Sequence, residues 1–186
     1  MIPKILNVVV FNVCWFACIL GAGAGQPWIG VIAVVLSAAF HILLSKSRFA
    51  LATLYLTSFL VGFAADTLVL STGAMSFPTH AELILPVPLW MTFMWVNFAT
   101  TLTLSMSWIR GRSVVAALFG LVGGPGAYYT GMKLDAVNLN ESLWFALGII
   151  GIQWAIALPI LSLLADRLTT ASDGTTSANA SEENSA

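Results

Sequence analysis

The 186-residue chain is 59% hydrophobic and only 8% charged, and its formal net charge is −1. Soluble domains carry a charge on about a quarter of their residues, so this composition excludes an ordinary water-soluble domain and indicates a chain that faces lipid. The small net charge offers no basic surface, and we therefore exclude nucleic acid as a partner.

Six apolar segments follow one another between charged or turn-forming breaks. They cover approximately residues 5–20, 28–44, 49–70, 85–109, 114–132 and 143–165. At a rise of about 1.5 Å per residue, each is long enough, or nearly so, to cross a bilayer core of about 30 Å as a helix. They lack the alternating polarity of barrel strands. The sequence predicts an all-α integral membrane bundle of six transmembrane helices within residues 1–168.

The cations predict the orientation of this bundle. Lys133 lies on one side of a six-span chain, and the other six cations lie on the opposite side, at Lys4, Lys46, Arg48, Arg110, Arg112 and Arg167. Cytoplasmic loops carry an excess of lysine and arginine. We therefore expect a multi-pass protein with both termini in the cytoplasm.

The first segment has two interpretations. Lys4, the apolar run and the small residues 22–24 resemble a signal peptide with its cleavage site. Asn12, Trp15 and the nearly full span length favour a retained helix, and cleavage would leave five spans in the same orientation. Cys14 and Cys18 lie one turn apart in this segment, where we expect them to be small packing residues.

The third and fourth segments contain the most telling polar residues. Asp66 is the only acidic residue well inside a predicted span, and intramembrane carboxylates are costly. It is either a cation or proton site, or an interfacial residue that hydrogen-bonds a neighbouring helix. Asn97 is predicted near the midplane, on one helical face with Trp90, Met94, Thr101, Ser105 and Trp108. That face either lines a cavity or binds another helix.

The fifth segment carries a helix-breaking sequence, Gly123-Gly124-Pro125-Gly126, at mid-membrane depth. Proline removes a backbone hydrogen bond, so we expect a bend or unwound turn there, followed by Tyr128. Freed backbone groups of broken helices form substrate sites in several transporters, whereas a simple kink would allow close helix packing. Gln153 in the sixth segment is predicted at a similar depth.

The remaining polar stretches offer no recognisable chemistry. Residues 73–88, with His80 and Glu82, are predicted to form an irregular external loop, and residues 169–186 a disordered, acidic cytoplasmic tail. His41 and His80 fall on opposite sides of the membrane and cannot share a metal or haem. We predict no catalytic residue, metal site or cofactor from the spacing of side chains.

Several motifs, in this order, cover approximately residues 5–165. They include Trp15-Phe16-Ala17-Cys18-Ile19-Leu20-Gly21, Gly62-x-x-x-Asp66, Pro88-Leu89-Trp90, Phe98-Ala99-Thr100-Thr101-Leu102, and Gly124-Pro125 with Tyr128. On these motifs the chain resembles the bacterial membrane-protein family called domain of unknown function 2878. The resemblance implies a polytopic inner-membrane protein with no assigned activity, and suggests an association with fatty-acid modification.

Two positions depart from the pattern of that family. Leu104 stands where the family often has a histidine, and Gly126-Ala127 stands where Leu-Ser is usual. Neither a histidine nor a serine mechanism is therefore carried over to this chain.

We expect a protein that binds or passes a small molecule or lipid at a midplane cavity. The candidate binding residues are Asp66, Asn97, Thr101, Gly124, Pro125, Tyr128 and Gln153. The alternatives are a membrane-embedded enzyme or accessory subunit in lipid or fatty-acid metabolism, and a structural partner in a membrane complex. Membrane lipids are the expected partners, and the fold class alone does not choose among these functions.

Overall fold

A computed structural model describes the backbone of residues 1–78 and 85–183 and the side chains as far as Thr170. His80 and Glu82 lie outside the described residues. Within them the chain forms six α-helices: α1 (Ile2–Gly23), α2 (Trp28–Leu44), α3 (Arg48–Ser71), α4 (Leu89–Leu102), α5 (Ser113–Lys133) and α6 (Leu143–Glu183). The predicted all-α bundle is confirmed.

Within the described residues, three stretches are long and apolar enough to cross a membrane: α1, α3 and residues Leu143–Thr170 of α6. α2 is apolar but shorter, at 17 residues. The span count of six and the orientation remain predictions.

Helix α4 occupies the centre of the packing. Ten of its fourteen residues are buried, and it contacts α1, α2 and α3. α3 also packs against α6, and α5 packs mainly against α6. On the other flank α1 lies close to α2, since a Cβ at Gly30 would lie 2.3 Å from Cys18 Cα. Cys14 and Cys18 are free and buried, as expected of packing residues.

The fourth helix is shorter than predicted. It ends at Leu102, and a 3₁₀ turn, Ser107–Ile109, follows it, whereas the sequence predicted a helix over residues 85–109. The side chain of Asn7 in α1 explains the early end. Its Oδ1 accepts hydrogen bonds from the backbone N–H of Ser105 at 3.2 Å and from the Ser105 hydroxyl at 2.6 Å, and its Nδ2 donates to the Thr100 carbonyl at 3.3 Å. The predicted stripe therefore does not continue along one helix beyond Thr101.

The fifth helix lacks the unwound turn that was one of the two predicted outcomes at Pro125, and the bend stays a prediction. α5 continues through Pro125 without interruption. Its glycines allow α6 to approach closely: a Cβ at Gly120 would lie 2.4 Å from the Trp154 carbonyl oxygen, and one at Gly124 would lie 2.4 Å from Trp154 Cδ1. Gly151 of α6 faces the Leu121 carbonyl, which lacks the proline N–H as a partner. Gly-Pro here serves close helix packing, the alternative considered for the sequence.

Two short strands join the loops at one end of the bundle. β1 (Met75–Ser76) pairs antiparallel with β2 (Asn138–Leu139), with Met75 opposite Leu139. Asn140 adds hydrogen bonds to the carbonyls of Ala74 and Gly73, each 3.0 Å long. The segment predicted to be irregular therefore contains a strand, and the loops after α3 and after α5 lie on the same side.

The last helix extends further than its apolar segment. α6 runs from Leu143 to Glu183, through most of the tail for which the sequence predicts disorder. The disorder expected of the tail stays a prediction.

Candidate functional site

Asp66 lies on α3 with an exposed fraction of 0%. The buried face of α3 repeats every three or four residues through Ser58, Gly62, Asp66 and Val69, which is the spacing of one helical face. Gly62 brings α4 close, because a Cβ there would lie 2.1 Å from Trp95 Cγ. The carboxylate thus points into the bundle and away from external solvent.

Three neutral side chains donate hydrogen bonds to the Asp66 carboxylate. Trp95 Nε1 of α4 lies 2.8 Å from Oδ2, and Gln153 Nε2 of α6 lies 2.6 Å from Oδ1. The Tyr128 hydroxyl of α5 also donates to Oδ1, at 2.5 Å. We name these four residues the Asp66 cluster. It ties four helices, α3 to α6, to one side chain.

The Asp66 cluster compensates for burial by hydrogen bonding and not by opposite charge. Among the described side chains no lysine, arginine or histidine forms an ion pair with Asp66. A carboxylate can accept about four hydrogen bonds, so three donors satisfy most of its capacity. The same oxygen positions also suit a protonated Asp66 that donates its proton to the Tyr128 oxygen.

An aromatic layer packs directly beside the Asp66 cluster. The rings of Trp95 and Trp154 stack with centroids 4.2 Å apart and planes inclined by 12°, and Phe98 meets Trp154 edge-on at 5.3 Å. Beside this layer the buried Gln153 Oε1 has no hydrogen-bond partner, and the Trp154 side chain interacts with that of Tyr128.

A cavity of about 400 Å³ lies on the other side of this layer. Its wall is formed by α1, α4, α5 and α6, and aromatic rings and glycines dominate it. They include Phe11, Trp15, Trp90, Trp95, Phe98, Phe119, Gly120, Gly123, Gly124, Tyr128, Gly131 and Trp154. We name it the α1–α5 cavity, because those two helices form its flanks.

The Asp66 carboxylate does not reach the α1–α5 cavity. Trp95 and Tyr128 line the cavity with their rings and donate to Asp66 behind it. Any event at the carboxylate can therefore reach a ligand only through these two side chains.

The structure brings together part of the predicted site. Asp66, Tyr128 and Gln153 bind one another directly, and Thr101 and Gly124 line the α1–α5 cavity. The other two candidates have packing contacts instead. Asn97 is buried, and its Nδ2 donates to the Phe11 carbonyl of α1 at 3.0 Å, while Pro125 packs against Gly151. In the described residues no cluster of three or more metal-ligating side chains occurs.

Sequence reasoning missed Trp95 and Trp154 as parts of the site. An indole N–H inside an apolar span needs an acceptor, and Asp66 was the acidic candidate within a neighbouring span. The need of the Trp95 indole for an acceptor could be read from the sequence, but Trp95 and Asp66 are 29 positions apart. Only the packing of α3 on α4 shows that the two residues meet.

The fold and the Asp66 cluster define a class of protein: a helical bundle with three helices able to cross a membrane and a buried polar centre. The chain belongs to the family described as "Protein of unknown function (DUF2878)", which it matches over residues 4–160. The family resemblance of its motifs is thereby confirmed. No curated protein and no solved structure matches the chain.

Proposed function

We propose that this protein is a six-span protein of the bacterial inner membrane that binds an apolar ligand, a lipid chain or a lipid-like small molecule, in the α1–α5 cavity. The distribution of cations supports the topology. The pairing of β1 with β2 also supports it, because the proposal puts both loops on the external side. In reporter fusions, residues 46, 110 and 167 should read cytoplasmic and residue 135 external; a cytoplasmic signal at 135 would refute six spans.

The observation that carries the proposed ligand binding is an apolar cavity whose rim lies at mid-helix positions. Val8 and Asn12 of α1 and Phe119 and Gly123 of α5 line it and are exposed at the protein surface. These positions lie one to three turns from the proposed cytoplasmic helix ends, inside the hydrocarbon region. A ligand can thus enter sideways from the membrane. The volume of the cavity is within the range of about 300–1,000 Å³ that is typical of small-molecule sites.

The character of the wall favours binding over ion passage. Ion pathways through membranes are lined by charged or polar groups, whereas this wall is mostly rings and glycines. In the proposal the Asp66 cluster acts as a clamp that holds the back of the cavity. A cation or proton role for Asp66 stays a prediction.

One observation favours a second candidate function, a lipid-modifying activity. Tyr128 lines the cavity, and its hydroxyl lies 2.5 Å from Asp66 Oδ1. A hydroxyl beside a carboxylate is a pair capable of proton transfer, and the ring of the same tyrosine would contact a bound lipid. This candidate requires product formation, which binding alone does not.

A matched pair of glycine variants tests the binding. Gly123 lines the cavity, and a Cβ there would have Phe119 Cε1 as its nearest neighbour at 3.7 Å. Gly126 of the same helix has nothing within 4 Å and does not line the cavity. Gly123→Leu should fill the cavity and Gly126→Leu should not.

The measurement is native mass spectrometry of the detergent-purified full chain. We expect co-purified or added lipid adducts on the unmodified chain and on Gly126→Leu. On Gly123→Leu their occupancy should fall at least about tenfold, which corresponds to about 1.4 kcal/mol. Equal occupancy on both variants would refute binding in this cavity.

A further inference from the structure

Charge is missing from the wall of the α1–α5 cavity. Among the described residues that line it, no lysine, arginine, histidine, aspartate or glutamate occurs. An ionised group placed in an apolar site costs far more than a neutral one unless it is paired. The cavity therefore disfavours ligands with a carboxylate, phosphate or ammonium group inside it.

The cavity is long enough for a hydrocarbon chain. It extends along α4 from Trp90 to beyond Thr101, a distance of about 16 Å at 1.5 Å per helical residue. A single chain laid along α4 would contact the wall over that whole length.

At one end of the cavity, two hydroxyl groups can accept a hydrogen bond from a ligand but have no proton left to donate. Thr101 Oγ1 donates its proton to the Phe98 carbonyl at 2.6 Å, and Ser105 Oγ donates its proton to Asn7 Oδ1 at 2.6 Å. Both residues line the cavity. Each oxygen keeps a lone pair but has no second proton, so a ligand group meets acceptors there and must itself donate.

A hydroxyl group fits this end of the cavity, because its O–H can donate to Thr101 or Ser105. An ester or ketone accepts but cannot donate, and a hydrocarbon does neither. An ionised carboxylic acid accepts and also brings an unpaired charge.

We propose that the α1–α5 cavity selects a neutral single-chain lipid that ends in a hydroxyl group, of the long-chain alcohol class, with the hydroxyl at the Thr101–Ser105 end. This inference rests on the proposed function and specifies its ligand. The hydroxyl end lies nearest the proposed cytoplasmic surface, because α4 runs inward from Leu89 to Leu102 in the proposed topology.

The test compares four probes of equal chain length on the full chain in detergent: the primary alcohol, the methyl ester, the alkane and the carboxylic acid in alkaline buffer. Native mass spectrometry gives the apparent Kd of each. The alcohol should bind about tenfold more tightly than the ester and the alkane, as expected for one or two hydrogen bonds. The acid should bind most weakly.

Thr101→Val provides the second arm, because it keeps the shape of the side chain and removes its oxygen. Affinity for the alcohol should fall about tenfold, toward that of the alkane, and alkane binding should not change. Thr100→Val is the matched control: Thr100 donates to the Asn97 carbonyl at 2.7 Å and does not line the cavity. It should leave both affinities unchanged.

The outcomes separate the two proposals. If the acid, ester or alkane binds as tightly as the alcohol, and Gly123→Leu abolishes that binding, the preference for alcohols is refuted and the cavity function stands. If no probe binds, or if Gly123→Leu has no effect, the proposed function fails and this inference fails with it. If Thr101→Val leaves the affinity for the alcohol intact, the assigned position of the hydroxyl is refuted.

Discussion

The two flanks of α4 are held together in different ways. On one side the Asp66 cluster joins α3, α4, α5 and α6 by three hydrogen bonds to one carboxylate. On the other side α1 and α5 face each other across a cavity of about 400 Å³. In lipid, helices associate through close packing and hydrogen bonds, since apolar surface gains little by leaving a hydrocarbon solvent. Where neither is available between two helices, a gap can persist.

Glycine contributes to both flanks of α5 with opposite results. Gly120 and Gly124 face α6 and let Trp154 pack against the α5 backbone. Gly123, one position away, lines the α1–α5 cavity, and a Cβ there would meet the Phe119 ring at an ordinary contact distance of 3.7 Å. The same absence of a side chain closes one interface and leaves room in the other, so the partner on each side determines what a glycine does.

Asp66→Ala should cause the largest loss of stability. It removes the carboxylate that accepts three hydrogen bonds, one each from Trp95, Tyr128 and Gln153. Each buried donor left unpaired costs about 1–3 kcal/mol, so the free energy of unfolding should fall by at least about 3 kcal/mol. Denaturant titration in detergent micelles, followed by tryptophan fluorescence, measures it.

The variant Asp66→Asn distinguishes two roles for Asp66: a clamp that holds the helices together by hydrogen bonds, and a site that binds a cation or proton. Asparagine keeps one acceptor oxygen, and its new N–H₂ can donate to Gln153 Oε1, which has no partner, after the Gln153 amide rotates. Unfolding free energy should change by no more than about 0.6 kcal/mol, the average for membrane helix hydrogen bonds. Ligand occupancy should persist. Its loss in a variant that folds normally would favour the cation or proton role.

Gly124→Ala should destabilise the tight interface by an intermediate amount. The new Cβ would lie 2.4 Å from Trp154 Cδ1 and displace a ring that stacks on Trp95. Overpacking costs about 1–3 kcal/mol, measurable in the same titration. Gly126→Ala is the control on the same helix, because its Cβ would meet nothing within 4 Å. Equal effects of the two variants would contradict the tight α5–α6 contact.

Asn7→Ala should destabilise the protein less than Asp66→Ala does. Asn7 holds the end of α4 through Ser105 and Thr100. Loss of comparable capping interactions costs about 1 kcal/mol, and the unfolding free energy should fall by about that amount. Asn12→Ala should leave stability unchanged, since Asn12 is exposed and bonds only to the Val8 carbonyl of its own helix. A loss as large as that of Asp66→Ala would make α1 as important to stability as the Asp66 cluster.

The sequence by itself determined the class of the fold and the approximate bounds of the helices. Apolar segments are continuous in sequence and are separated by charges, so α2 begins and ends where predicted, and α3 and α5 differ from prediction by one residue at each end. Asp66, Tyr128 and Gln153 were recognised individually, because a polar group is costly in an apolar span. The end of α4 was not recognised, since Asn7 acts on it from another helix.

Only the tertiary structure decided which of these residues meet. Trp95 reaches Asp66 across 29 positions and Gln153 reaches it across 87, and no local spacing encodes such contacts. The effect of Pro125 also depended on its neighbour: with α6 packed against Gly120 and Gly124, the helix stays continuous where an unwound turn was one of the two predicted outcomes. Helix packing in lipid depends on the side chains of two surfaces at once, and a sequence shows each of them separately.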